Sequence, residues 1–174
     1  HPVVVEGRID TGYLDAHLDE VLPAPVAPTP VTLALAATAC LLHDEAQTRS
    51  QALTSNDPGS PWAIADGWRL GRAGQRLLCF GFRGDRVDLV THGSDGNYLV
   101  EVAGGKVTVA RARLVGGVLS AEVDGQSLRQ RAQADARHVF LHDGNERLTL
   151  ARLPAFRGED TQATGIGHRV LAPM

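Results

Sequence analysis

The chain has 174 residues and a net charge of -3, a size that suits one domain of ordinary length with additional segments at its ends. Its hydrophobic content of 43% is sufficient for a core, and its two cysteines are too few for a disulfide framework. No segment has the roughly 20 consecutive apolar residues that a membrane span requires, so we predict no membrane protein. Acidic and basic residues are interspersed along the chain without a basic cluster, so we predict no nucleic-acid-binding protein.

The first part of the chain contains a short helix followed by a proline-rich linker. Residues 10–22, DTGYLDAHLDEVL, carry apolar side chains at helical spacing. The segment PAPVAPTP at residues 23–30 then has four prolines in eight residues, which favours an extended linker and a domain boundary.

A second helix is predicted over residues 31–53, with Thr29 as its N-cap and Pro30 at its first position. Residues 33–42 are apolar on every side, which is typical of a helix that is buried on every side. Several alanines keep this stretch thin. The second half of the helix is polar, so we expect that end to leave the core.

From residue 62 to residue 153 the pattern changes to short stretches of β-forming residues, about eight or nine in number. Apolar residues alternate within them, as at Leu78, Phe80 and Phe82. The segments between them, RGDR, SDGN, AGGK, DGQ and DGNE, are typical of tight hairpin turns. The order of strands is therefore predicted to be up-and-down and antiparallel.

These two observations predict an α+β fold, an antiparallel up-and-down β-barrel, closed or partly open, of about eight strands around a long buried α-helix. Closure removes the exposed edges of the sheet. A slim helix that is apolar all round suits the narrow interior of an eight-stranded barrel. The alternative is a sandwich with the helix lying across one end.

Three motifs resemble catalytic or metal sites, but none has the residue spacing that such a site requires. The histidines of HVFLH, His138 and His142, lie about 13 Å apart if this segment is a strand, too far to share one metal ion. Ser94 belongs to a turn sequence and lacks the spacing of a nucleophile elbow. Lys106, the only lysine, follows two glycines without the pattern of a phosphate-binding loop. We predict no catalytic residue, no cofactor-binding residue and no metal site in this chain.

Three segments resemble parts of biotin-dependent acyl-CoA carboxylase α subunits. IDTGYLDAHLDEVL at residues 9–22 resembles the last helix of the biotin carboxylase domain, and RVLAPM at residues 169–174 resembles the first strand of the biotin carrier domain. Between them, SPWAIADGWRL at residues 60–70 and the hairpins that end in RHVFLHDGNERLTL resemble the linking domain, called BT, of the 3-methylcrotonyl-CoA carboxylase α subunit.

The resemblance implies the following organisation. Residues 1–22 end the biotin carboxylase domain, residues 23–30 are the linker, residues 31–155 form the BT domain, and residues 156–174 lead into the carrier domain. The chain is accordingly expected to be a piece of a longer protein. The family's biotinyl lysine lies in a Met-Lys-Met turn, which Lys106 does not match, so biotin, ATP and Mg are implied only for the full-length enzyme.

The resemblance also implies the function. The expected role is a non-catalytic assembly domain that contacts the carboxyltransferase β subunits, within a hetero-oligomeric ligase that carboxylates an acyl-CoA with ATP, bicarbonate and biotin. The expected partners are the β subunit and the biotin carboxylase and biotin carrier domains of its own chain. The preference for arginine over lysine and the few cysteines favour the cytoplasm of a bacterium.

The functional surface is then expected to be an interface. Our candidates are Trp62 and Trp68, because tryptophan is enriched at binding hot spots, and the polar half of the second helix, represented by Asp44, Gln47, Arg49 and Gln51. The alternative function is a stand-alone small-ligand-binding β-barrel, which would require an empty lumen.

Overall fold

The structure, a computed structural model, describes residues 27–56, 74–102, 104–143 and 146–155. The predicted helix at residues 10–22, the predicted strand that begins at Trp62, and residues 156–174 lie outside the described residues, so the predictions made for them stay predictions.

Helix α1 runs from Pro30 to Leu53 and confirms the predicted helix and both of its start signals. The Thr29 hydroxyl oxygen accepts a hydrogen bond of 3.1 Å from the Thr32 amide, which satisfies one of the amides that a helix start leaves unpaired. Pro30 occupies the first turn, where its missing N–H costs nothing.

Eight antiparallel strands surround α1, and each pairs with the next one along the chain. The strands are β1 (Gln75–Phe82), β2 (Asp85–Ser94), β3 (Asn97–Val102), β4 (Gly105–Val115), β5 (Val118–Val123), β6 (Gln126–Ala134), β7 (His138–Asp143) and β8 (Glu146–Leu153). Strand β8 pairs back onto β1 from Cys79↔Leu153 to Gly81↔Ala151, which closes the barrel and confirms the predicted up-and-down order. The sandwich alternative is therefore wrong.

Two-residue turns join many of these strands. In the turns Arg83–Gly84, Asp95–Gly96 and Asp124–Gly125 both residues have positive φ, the conformation whose twist matches that of a hairpin. These turns confirm the predictions for RGDR, SDGN and DGQ. A further turn of this kind, Gly116–Gly117, joins β4 to β5, whereas the centre of DGNE lies outside the described residues.

The first half of α1 fills the interior of the barrel. Residues 33–41 are buried on every side of the helix, and they pack against the inward-facing side chains of the strands, among them Phe80, Leu89, Val100 and Leu150. Alanine and cysteine at residues 36, 37, 39 and 40 leave room for the surrounding backbone. The buried hydroxyl of Thr38 donates to the Ala34 carbonyl at 2.8 Å, so it adds no unpaired group. The helix thus occupies the lumen that a small-ligand carrier would need.

The turn between β2 and β3 packs tightly against a bulge in β4. The register of β4 against β5 shifts between Ala110 and Arg113, and Arg111 adopts a φ of 53°. The bulge lets the Ala112 amide donate a hydrogen bond of 2.8 Å to the Gly96 carbonyl. A Cβ atom at Gly96 would overlap the Ala112 carbonyl oxygen, so this position requires glycine for space as well as for its φ of 81°.

Replacing Gly96 with alanine is expected to lower the free energy of unfolding by about 2–3 kcal/mol, because strain at positive φ and displacement of the β4 backbone add together. The matched control is Gly84→Ala, at a φ of 92° with no atom near the added Cβ, which should cost about 1 kcal/mol. Urea unfolding of both variants measures the difference. Equal losses of stability in the two variants would show that the close approach to Ala112 does not restrict the residue at position 96.

The segment HVFLH lies in β7 and is a strand, as predicted. Among the described residues, no group of three or more His, Cys, Asp or Glu side chains is placed to hold a metal ion. Over the same residues, no helix is both long enough and apolar enough to cross a membrane.

Candidate interaction surface at the helix exit

Helix α1 leaves the barrel at one end, which we call the exit end and define by the turns Asp95–Gly96 and Gly116–Gly117 and by residues 135–137. Beyond this end the helix continues as residues 46–53, here named the projecting helical segment. Most of its side chains are exposed, including those of Gln47, Gln51 and Leu53. The expected exit of the polar half from the core is therefore confirmed.

A buried carboxylate anchors the helix where it leaves the barrel. Glu45 is 8% exposed, and its Oε2 atom accepts hydrogen bonds from the Tyr98 hydroxyl at 2.8 Å and from the Asp95 amide at 3.1 Å. Its Oε1 atom lies 2.9 Å from Nη1 of Arg76. We call Glu45, Arg76 and Tyr98 the buried anchor.

The Arg76 guanidinium is itself held in place by several contacts. Its Nη2 donates to the Gly93 carbonyl at 2.7 Å, and its central carbon lies 5.7 Å from the Tyr98 ring centroid. The contact with Oε1 of Glu45 is an ion pair without hydrogen-bonding geometry. Burial raises the pKa of Tyr98 well above its usual value, so its hydroxyl keeps its proton and donates to Glu45.

A second ion pair ties the same part of the helix to β8. Both carboxylate oxygens of Asp44 accept from Arg152, at 3.0 and 2.6 Å, and Nη1 of Arg152 also donates to the Asp135 carbonyl at 2.8 Å. The hydrogen bonds with Asp44 raise the pKa of Arg152. This two-pronged geometry fixes orientation as well as distance, so the helix is held from both β1 and β8.

The structure separates the predicted interface residues into two kinds. Asp44 is engaged with Arg152, and Arg49 forms a solvent-exposed pair with Asp95 at 2.9 Å, which contributes little to stability. Gln47 and Gln51 are exposed. Asp44, Gln47 and Gln51 follow one another at spacings of three and four and share one face of the helix. Trp62 and Trp68 lie outside the described residues.

Sequence reasoning missed the buried anchor and Arg152. Glu45 stands among polar residues in HDEAQ, which favours a solvated position. A signal was nevertheless present, because Glu45 follows Ala37 and Leu41 at intervals of four and so continues a buried line along the helix. Nothing local to Arg76 or Tyr98 identifies them as its partners, since these contacts join residues more than 30 positions apart.

Comparison with known proteins places this architecture in a family. The family model for the BT domain of the methylcrotonyl-CoA carboxylase alpha subunit matches residues 28–155, which cover α1 and all eight strands. A relative from Dictyostelium discoideum, the mitochondrial methylcrotonoyl-CoA carboxylase subunit alpha, is 33% identical over 88 residues. That alignment covers 50% of this chain and 12% of the relative. The chain therefore belongs to the family of methylcrotonyl-CoA carboxylase alpha-subunit BT domains.

Proposed function

We propose that this chain is a non-catalytic assembly domain of a biotin-dependent acyl-CoA carboxylase α subunit and contacts the carboxyltransferase β subunit. The observation that carries the proposal is the projecting helical segment. Its base is fixed to the barrel through the buried anchor and the Asp44–Arg152 pair. A helix held in one orientation presents its side chains without a large ordering cost on binding.

The exposed sides of this segment are the proposed contact. Gln47 and Gln51 share one side of the helix and offer hydrogen-bonding groups, and Leu53, on another side at the helix end, is an apolar side chain that is 72% exposed. A partner that encloses the end of the helix would contact both the apolar and the polar side chains. Trp62 and Trp68 remain further candidates from the sequence.

In this proposal the chemistry belongs to other domains of the full-length subunit. Lys106 does not fit a biotin-bearing lysine, because it is the second residue of β4 and its Nζ atom lies 2.7 Å from Oε1 of Glu101. Biotin, ATP and Mg are therefore assigned to the biotin carboxylase and biotin carrier domains. Methylcrotonyl-CoA as the substrate follows from the family and, like a bacterial cytoplasmic location, stays a prediction.

The experiment is co-purification of a full-length α subunit with its β subunit. The double substitution Gln47→Arg and Gln51→Arg adds bulk and charge to the proposed contact, and we expect it to weaken association by about tenfold or more. The control is Gln126→Arg with Ser127→Arg, two exposed residues at the opposite end of the barrel, which should leave association unchanged.

Retention of β by the first variant at the level of the control would contradict the proposed contact. Circular dichroism of both variants should give thermal midpoints within a few degrees of the parent. A loss of β-subunit association then reflects weaker binding rather than unfolding.

A further inference from the structure

Strand pairing aligns four exposed arginines in two rows on the outer surface of the barrel. Arg113 in β4 stands opposite Ser120, which stands opposite Arg129 in β6. Two residues further along β6, Arg131 stands opposite His142, which stands opposite Arg147 in β8. Because β4 and β8 lie half a circumference apart in the closed ring, Arg113 is on the other side of the barrel from Arg147. We call Arg129, Arg131, His142 and Arg147, on the successive strands β6 to β8, the basic face.

The positive charges of this face are not neutralised within the described part of the chain. Arg49, Arg86 and Arg111 each contact a carboxylate, whereas none of the three arginines of the basic face forms an ion pair with a described residue. Arg129 and Arg131 lie two residues apart on the same side of β6, where their like charges repel each other.

The basic face includes a groove rather than a closed pocket. Its volume is about 670 Å³, and its lining includes the turn Gly116–Gly117 together with Arg131, Phe140, His142 and Arg147. Most of these residues are exposed. Arg131, His142 and Arg147 lie on the three successive strands β6, β7 and β8, which span roughly 10 Å at the usual strand spacing. The groove therefore places two guanidinium groups and one imidazole within reach of a single short segment.

We propose that the basic face binds an acidic segment of a partner protein, with Arg131 and Arg147 as its principal contacts. Guanidinium groups bind carboxylates through paired hydrogen bonds, and arginine is enriched where proteins meet. The proposal shares no residue with the projecting helical segment and does not depend on the β-subunit contact.

Two observations favour a protein over a nucleic acid. The chain carries a net charge of -3, whereas nucleic-acid-binding domains are usually basic overall. The Phe140 ring is the aromatic group of the groove, and the Arg147 guanidinium lies over it at 5.0 Å from the centroid. A base therefore cannot stack on that face of the ring without displacing Arg147.

The test is fluorescence anisotropy of a labelled deca-glutamate peptide with the 174-residue chain at low ionic strength. We expect salt-sensitive binding that Arg131→Gln with Arg147→Gln weakens by about tenfold or more. The matched control, Arg83→Gln with Lys106→Gln, removes the same charge from exposed residues outside the face and should change the affinity by less than about twofold.

Two results would overturn the proposal. The first is that the peptide does not bind. The second is that the control variant weakens peptide binding as much as Arg131→Gln with Arg147→Gln does, which would mean that only the net charge of the chain matters. Tight binding of a ten-residue oligothymidine that is lost with the same arginines would make the face a general polyanion site. If Arg131→Gln with Arg147→Gln fails to fold, Arg129→Gln with Arg131→Gln provides the same comparison within the face.

Discussion

Replacing Glu45 with alanine is expected to lower the free energy of unfolding by about 3–5 kcal/mol, the range seen when one partner of a buried ion pair is removed. The substitution deletes the carboxylate that contacts the Arg76 guanidinium, the Tyr98 hydroxyl and the Asp95 amide. Arg76 is only 16% exposed, so water cannot readily replace the lost contacts. Urea denaturation followed by circular dichroism measures the change.

The control for this prediction is Gln47→Ala, two residues away on the same helix and exposed, for which we expect a change within about 0.5 kcal/mol. A loss below about 1 kcal/mol for Glu45→Ala would contradict the anchoring role. Glu45→Gln separates charge from hydrogen bonding, since the amide oxygen can still accept from Tyr98 while the ion pair with Arg76 is lost.

Replacing Leu41 with alanine is expected to lower the free energy of unfolding by about 2–5 kcal/mol. Leu41 is 1% exposed and belongs to the core cluster that the helix forms with the strand side chains in the lumen. A closed barrel is held by its ring of hydrogen bonds, so it cannot easily contract around the missing methyl groups, and a cavity remains. Denaturant unfolding gives the magnitude.

Leu53 provides the same chemical change at the exposed C-terminal end of the same helix. It is 72% exposed, so Leu53→Ala should alter stability by less than about 0.5 kcal/mol. If both leucine variants lost equal stability, helix propensity rather than burial would explain the effect, and the central position of α1 in the core would be in doubt.

These two sites also explain how the domain can present a surface. The apolar half of α1 fixes the position of the helix along the barrel, and the buried anchor with the Asp44–Arg152 pair fixes its rotation. A weakened anchor is therefore expected to impair the proposed β-subunit contact even where the barrel remains folded.

The barrel and its central helix could be predicted from the sequence because both depend on patterns among residues that are close together in the chain. A helix that is apolar on every side between residues 33 and 42 must be buried on every side. Alternating β-forming stretches separated by Arg83–Gly84, Asp95–Gly96 and Asp124–Gly125 specify successive hairpins. A single slim helix and a long meander of strands can bury their apolar surfaces against each other in few ways, and one of these is a barrel around the helix.

The functional surfaces could be predicted from the sequence only in part. The sequence indicated that the polar half of α1 leaves the core, but it placed Asp44 and Arg49 simply as candidates for a partner contact. In the structure Asp44 binds Arg152, 108 positions away, and Arg49 pairs with Asp95. Polarity alone does not show whether a charged side chain faces solvent or an ion of opposite charge within the same chain.

The sequence by itself thus determined the helix, the hairpins and an up-and-down barrel around the helix, since each depends on periodicity and turn residues over a few positions. Only the tertiary structure decided that β8 closes the ring onto β1, that Glu45 is buried against Arg76, and that Arg131 and Arg147 lie beside one groove. The last of these depends on register: pairing places Arg131 two strands from Arg147 on the same side of the sheet, and a shift of one residue would have turned Arg131 to the opposite side.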